Sequence, residues 1–272
     1  MGLLDRGIEI KSPEQVDAMR VAGLVVGRTL ELMRSSVRAG ITTGELDAIA
    51  EEHIRASGAT PSFKGYHGFP GSICASVNDE VVHGIPGSRV IAEGDLVSID
   101  CGAIVDGWHG DAAITVAVGE VPDELRHLMR VTEEAMWRGI AAARLGGRVT
   151  DISHAVEQHV RAGGEFGILE DYTGHGIGTQ MHQPPNVPNY GRAGRGPKLV
   201  KGLALAVEPM ITLGTKDTVL LEDDWTVVTA DGSWAAHYEH TFTLTDQGAW
   251  VLTALDGGEE MLGRLGVPFG GR

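Results

Sequence analysis

The chain carries the same acidic pair twice, as Asp100 with Asp111 and again as Glu208 with Glu239. Laid together without gaps, EGDLVSIDCGAI (93–104) matches KGLALAVEPMIT (201–212) and sets Asp100 on Glu208; HGDAAITV (109–116) matches HYEHTFTL (237–244) and sets Asp111 on Glu239. Four carboxylates related by an internal repeat point to one shared site between two half-domains. Like charges brought close disfavour each other's ionised forms, so the cluster calls for cations, and two divalent metals balance its charge. His175, set between glycines in GHGIG, adds a neutral imidazole that the backbone can bring near a ligand without crowding. Carboxylates with an imidazole make a mixed ligand set suited to manganese, iron, cobalt or zinc. HExxH is absent, and two cysteines, Cys74 and Cys101, are too few for cysteine-rich structural zinc. A phosphate-loop reading of GHGIG is disfavoured because MHQPPNVPN does not open a helix.

Helices and strands must position these groups. Ser12 with Pro13 and Gln15, and Thr42 with Glu45, are helix starts that predict helices to about Arg38 and to Gly58. Pro122 opens a third helix to about Arg144, and Thr150 a fourth ending near Gly163. The repeat extends into these helices, since EEHIRASG (51–58) resembles EQHVRAGG (157–164), and Tyr66 then falls on Tyr172 at the same spacing. Segments 61–94 and 165–201, rich in Gly and Pro, are expected as strands and loops around the site. Helix, helix, strands, repeated once, predicts an α+β fold with a curved, mainly antiparallel sheet covered by two pairs of helices. Asp106-Gly107 is a two-residue hairpin signal. In that register Asp100 sits opposite Ala113, and Asp111 points to the same face. Val97, Ile99, Cys101, Ala112, Ile114 and Val116 then form the opposite, helix-facing side.

At 272 residues and 42% hydrophobic, the chain can bury a core without disulfide support. A formal charge of −15 argues against a nucleic-acid substrate. Arg192, Arg195, Lys198 and Lys201 form a local basic run, read as a solvated Gly-rich loop, with docking to an RNA-rich assembly as the alternative. The start MGLLDRGIEI shows no leader, and no run is long and apolar enough for a membrane span. These features predict a cytoplasmic protein. His53, His127, His154 and His159 fall on predicted helices as ordinary polar residues, whereas His83 and His182 lie in Gly/Pro-rich loops where a catalytic role is open.

In order along the chain, GYHGFPGSICASVNDEVVHGIPG, DGWHGD, GHGIG, MHQPP, AVEPM, EDDWTVVT and YEHT resemble the type I methionine aminopeptidases over about residues 8–253. The resemblance implies the pseudo-twofold pita-bread fold: one catalytic domain over 8–253, with halves at about 12–120 and 121–250; beyond it, LDGGEE and the final FGGR read as a loosely held tail at 254–272. It implies metal ligands at Asp100, Asp111, His175, Glu208 and Glu239. Asp111 and Glu239 would bridge two divalent ions (Co, Mn, Fe or Zn). The implied activity is removal of the initiator methionine from newly made proteins with a small second residue, by attack of a dimetal-bridging hydroxide. Glu208 would transfer the proton, His182 would polarise the scissile carbonyl, and His83 would contact the scissile amide. Tyr66, Phe69, Cys74, Met181 and Trp225 stand where the family lines its methionine pocket. Implied partners are the N-termini of nascent proteins and peptides, with ribosome association an open possibility and a monomer expected. Met181 replaces a common phenylalanine, and His237 a common glutamine. The alternatives are an aminopeptidase P or prolidase-like peptidase, which shares the ligand cage, and a non-catalytic pita-bread binding protein.

Overall fold

Ser12 caps the first helix as its sequence predicts. Its hydroxyl accepts from the Gln15 amide (3.3 Å), and the Gln15 side chain takes the Ser12 amide (2.8 Å), opening α1 (Pro13–Ser36). Thr42 and Glu45 repeat the device at α2 (Thr43–Ala56). Pro122 precedes α3 (Asp123–Ala142), and α4 (Val149–Gly163) starts one residue before Thr150, where the Asp151 carboxylate caps the Arg148 amide. The computed structural model describes residues 7–272. Most of MGLLDRGIEI, from which the expectation of no leader was drawn, lies outside the described residues.

Five strands complete the first half: β1 (Thr60–Pro61), β2 (Ile73–Val77), β3 (Glu80–Val82), β4 (Leu96–Val105) and β5 (Trp108–Ala117). The second half supplies β6 (Gly167–Ile168), β7 (Gly174–Gly176), β8 (Gln183–Val187), β9 (Ala204–Val207), β10 (Met210–Thr212), β11 (Thr218–Leu220), β12 (Val227–Thr229), β13 (Ala235–His237), β14 (Glu239–Leu244) and β15 (Ala249–Val251). Nine of them make one antiparallel sheet ordered β1-β4-β5-β14-β9-β7-β8, with β2 added on β4 and β15 on β14. Two three-stranded sheets, β13-β10-β6 and β11-β12-β3, flank it. Asp106 (φ 49°) and Gly107 (φ 80°) make the left-handed turn that a twisted hairpin needs. The β4–β5 register is unbroken from Leu96 opposite Ala117 to Val105 opposite Trp108, so Asp100 faces Ala113 as predicted.

One face of this hairpin buries Val97, Ile99, Cys101, Ala112 and Ile114 in a core shared with Val26, Leu30 and Met33 of α1 and Leu46 and Ile54 of α2. The second half buries Leu205 and Val207 with Met136 and Ile140 of α3 and Ile152 and Val156 of α4. The halves differ where β9 leads to β14: residues 208–238 form β10–β13, in place of the two-residue turn between β4 and β5. The stretch 254–272 is not a loosely held tail. Asp256 caps the Gly258 (2.8 Å) and Glu260 (3.0 Å) amides to start α5 (Glu259–Arg264), Leu262 is fully buried, and the Gly270 amide bonds Ala249. The Gly/acid run that reads as solvated chain is a helix start. No helix among the described residues is long and apolar enough to cross a membrane.

Helix α1 rests directly on β5, because Gly23 and Gly110 meet: a Cβ on Gly110 would lie 2.8 Å from the Gly23 nitrogen, and one on Gly23 would lie 2.2 Å from the Leu252 carbonyl oxygen. Either must push backbone apart, so Gly110→Ala and Gly23→Ala should each cost about 1–3 kcal/mol in urea unfolding. Gly263→Ala, in α5 with open space around it, serves as the control and should hold or raise the midpoint; an unshifted midpoint for Gly110→Ala would show that this spacing tolerates a methyl.

Candidate metal centre

The hairpin β4–β5 delivers the first acidic pair. Asp111 stands opposite Gly102, two residues from the Asp100–Ala113 pair, so both carboxylates leave the face away from α1 and α2. Glu208 follows β9 directly, and Glu239 opens β14, which pairs with β9 on one side and β5 on the other. His175 sits on β7 between two glycines that neighbours require: Cβ atoms there would lie 2.3 Å from the carbonyl oxygens of Ala206 and Pro184. Its Nδ1–H donates to the Gly176 carbonyl (2.9 Å), which leaves Nε2 as a bare lone pair. That atom lies 3.5 Å from Glu208 Oε1 and 3.9 Å from Asp111 Oδ2.

Two overlapping sets of donors result. Asp100, Asp111 and Glu239 bring ligand atoms within 4.8 Å of one another, and so do His175, Glu208 and Glu239. Glu239 belongs to both sets, and Asp111 also joins His175 and His182 in a third. Among the described residues, Asp100 Oδ1, Asp111 Oδ1 and Glu239 Oε1 are buried with no hydrogen-bond partner. Buried polar atoms are normally paired, so converging, orphaned carboxylate oxygens beside a bare imidazole nitrogen fit divalent cations. Without a cation the cluster is electrostatically costly. Burial pushes the Asp100 carboxyl up to about 7. Burial first, and then the neighbouring carboxylates, raises Asp111, Glu208 and Glu239 well above the usual range. Burial and His182 hold His175 down at about 3, keeping its ring neutral.

The acids and His175 lie in the buried part of a pocket that opens to solvent. Each sequence-predicted site residue lines it: Asp100, Asp111, His175, Glu208 and Glu239 with His83, His182, Tyr66, Phe69, Cys74, Met181 and Trp225. Cys74 pairs with Asp100 across β2 and β4, which aims it at this face, while Cys101 goes to the helices; both thiols are free. Met181, Phe69, Cys74 and Phe63 form a small apolar cluster, with Trp225 edge-on to Phe69 at 5.1 Å. His83 adopts a left-handed φ of 60°, held because Gly84 docks on β2 through the Ala75 amide and the Ser76 hydroxyl. Burial and His182 lower His83 to about 4. The pseudo-symmetric tyrosines cross over: Tyr66 of the first half bonds His182 Nδ1 (2.9 Å), and Tyr172 of the second packs edge-on against His83 at 5.7 Å.

Sequence reasoning missed Phe63 and His67, which also line the pocket. His67 adjoins Tyr66 in the quoted GYHGFPG segment and adopts a positive φ of 47°, a backbone conformation that nothing in the sequence signals. It also missed Glu9, whose carboxylate takes the Thr179 amide (3.1 Å) and the Gln183 side chain (2.7 Å) and so ties down the loop that carries His182. His237 is buried, with Nε2 unpaired among the described residues and 3.7 Å from Glu208 Oε2. The basic loop is tied to the start of α4 by Thr150 and Asp151, and Lys201 pairs with Asp246.

A two-half antiparallel scaffold that gathers paired acids and one histidine at a pocket is what a metal-dependent hydrolase requires, and comparison with known proteins places the chain in that class. The sequence profile of metallopeptidase family M24 matches residues 17–246. A methionine aminopeptidase 1 of Mycobacterium tuberculosis is 55% identical over 91% of this chain and 96% of its own length. A methionine aminopeptidase of Clostridium acetobutylicum is 51% identical over 90% and 98%. The crystal structure of a Thermotoga maritima methionine aminopeptidase superposes with a TM-score of 0.89 at 42% identity, over 91% of this chain and 99% of that one. The prolidase of Pyrococcus furiosus shares the fold (TM-score 0.72, 23% identity), but the match spans 65% of its length. The chain belongs to metallopeptidase family M24. Its activity is that of a methionine aminopeptidase, dependent on divalent metal.

Asp100 supplies a pH test. In the metal-free protein its carboxyl keeps its proton up to about pH 7, whereas an unfolded aspartate ionises near about pH 4. Between those values the fold holds a proton that the unfolded chain has lost, so this group's contribution to stability falls as pH rises. Asp100→Asn removes that term. In urea melts with chelator, the variant should gain on wild type steadily from pH 4 to 7; a gap independent of pH would show that Asp100 does not titrate in this window.

Proposed function

We propose that the methionine removed is the initiator methionine of newly made proteins whose second residue is small, and that Asp100, Asp111, His175, Glu208 and Glu239 hold two divalent ions for the purpose. The observation that carries this reading is the pair of overlapping donor sets sharing Glu239, at the closed end of a pocket whose wall is Phe63, Phe69, Cys74, Met181 and Trp225. The bound metals supply a water nucleophile at neutral pH and Lewis acidity toward the scissile carbonyl.

The protein's own groups do the rest. The apolar wall takes the methionine side chain, where sulfur against aromatic rings is favourable by roughly 0.3–1.5 kcal/mol per contact. Burial holds the Cys74 thiol neutral, so it packs without adding charge. A pocket closed by acids accepts a free N-terminal amine and no further residue before it, which imposes exopeptidase action. Glu208, a carboxylate in the donor set with His175 and Glu239, takes a proton from the attacking water and passes it to the departing amine nitrogen. Tyr66 fixes His182 through Nδ1, leaving Nε2 to donate to the carbonyl oxygen as charge develops there. His83, pinned in its left-handed conformation, contacts the scissile amide. Tyr66, His67 and His182 crowd the mouth, with Tyr66 and His67 rings 4.3 Å apart, where the second residue must lie.

The same reading takes the enzyme as a monomer. Its substrates are new N-termini, which supports action on nascent chains in the cytoplasm, at or near the ribosome. The catalytic domain comprises 8–253 with its two halves, and 254–272 docks on it.

Metal-stripped enzyme refilled with manganese, cobalt, iron or zinc should release methionine from Met-Gly-Met-Met and leave Met-Leu-Met-Met and Gly-Pro-Ala intact. Cleavage of the proline peptide would instead assign it an aminopeptidase P specificity. His182→Ala should lower kcat by about 10²–10³-fold with KM little changed; a loss confined to KM would make His182 a binding group alone.

A further inference from the structure

The two halves meet where β5 lies beside β14, and only two positions there pair through the backbone, Glu239 with Ala113 and His240 with Ala112. In the same register Asp111 comes opposite Thr241, and Thr115 opposite His237. At both places a threonine hydroxyl replaces the backbone rung. The Thr241 hydroxyl accepts from the Asp111 amide (3.2 Å) and donates to the Asp111 carbonyl (2.8 Å). The Thr115 hydroxyl accepts from the His237 amide (2.9 Å) and donates to the His237 carbonyl (2.8 Å). One hydroxyl is both donor and acceptor, so each closes a whole rung alone.

The backbone of Thr241 is engaged elsewhere. Its amide donates to the Thr253 hydroxyl (3.1 Å), and its carbonyl accepts from Leu252 (2.8 Å). On the C-terminal side of this residue β14 is paired with β15, through Phe242, Thr243 and Leu244; on the N-terminal side it is paired with β5. Thr241 thus stands in the fork where β5 and β15 part, and its side chain fills the gap. Both threonines are fully buried. The residues they secure are Asp111 itself and the chain entering Glu239, the two carboxylates that occur together in the Asp100 donor set.

We infer that Thr241 and Thr115 are positioning residues for the metal centre: their hydroxyls prop the seam between the halves and thereby fix how Asp111 and Glu239 stand toward each other. This rests on the reading of Asp111 and Glu239 as metal ligands. A bare backbone rung would draw the strands to ladder spacing; a missing hydroxyl would orphan the buried amide and carbonyl of Asp111, or of His237 two residues before Glu239, and loosen the acid held there.

The test compares Thr241→Val, which keeps shape and removes the hydroxyl, with Thr241→Ser, which keeps the hydroxyl. Thr243→Val is the structural control, because its equally buried hydroxyl bonds the Leu203 carbonyl (2.9 Å) on the β9 side. Metal-stripped proteins are titrated with Mn²⁺ by calorimetry and with Co²⁺ by absorption, and melted in parallel. Thr241→Val should lose about 10–100-fold in metal affinity with an altered Co²⁺ spectrum. Thr241→Ser should stay near wild type, and Thr243→Val should melt lower yet bind metal normally. Wild-type affinity and spectrum in Thr241→Val, alongside a lowered Tm, would leave the hydroxyl a merely structural role and overturn the inference. Should Thr241→Val not fold, Thr115→Val decides by the same two outcomes. A wild-type protein that takes up no metal overturns the ligand reading itself, which is a distinguishable failure.

Discussion

Four carboxylates brought together at the buried end of a pocket repel one another and resist ionisation, and the rest of the structure is arranged around holding them there. Burial lifts Asp100 to about 7 against hydrogen bonds from Asp111 and the Cys101 backbone that lower it, and neighbouring carboxylates raise Asp111, Glu208 and Glu239 further. A flexible loop would let them separate. Three of the four instead grow from the middle or start of paired strands, and the fourth follows β9 at once. Cations that balanced the charge would convert this stored repulsion into affinity, and His175 would add a neutral nitrogen whose other ring atom is already committed to a carbonyl.

Close backbone approach is the second requirement. Gly174 and Gly176 let β8 and β9 press on either side of His175, and Gly23 against Gly110 lets α1 sit on the hairpin that bears Asp111. Pseudo-twofold symmetry then shares the work between halves without making them equal. Tyr66 and Tyr172, equivalent in the repeat, each reach a histidine of the opposite half, but Tyr66 offers a hydrogen bond to His182 while Tyr172 offers a ring edge to His83. The symmetry fails where residues 208–238 replace a tight turn, and that inserted stretch brings Trp225 to the pocket and β12 to β3 beside His83.

Much of this was legible beforehand because it is local or periodic. Capping residues set the helices to within a residue or two, since the hydrogen bonds that start a helix join groups three positions apart. Asp106-Gly107 set the hairpin register, and with it the common face of Asp100 and Asp111, because strand side chains alternate strictly. The doubled motif announced a shared site. Where composition stood in for geometry it misled: LDGGEE reads as solvated chain, yet Asp256 caps a helix there and Leu262 is buried beneath it.

The sequence by itself determined the elements, the two halves and the residue types that must meet, since each of these follows from neighbours along the chain or from repetition. Only the tertiary structure decided how the halves are sewn together. Glu9 gripping the His182 loop, His67 at the mouth, and the threonine hydroxyls standing in for rungs between β5 and β14 join residues far apart in the chain. No spacing in the sequence encodes such contacts, because they exist only once buried backbone groups must find partners across a seam that the strands alone do not close.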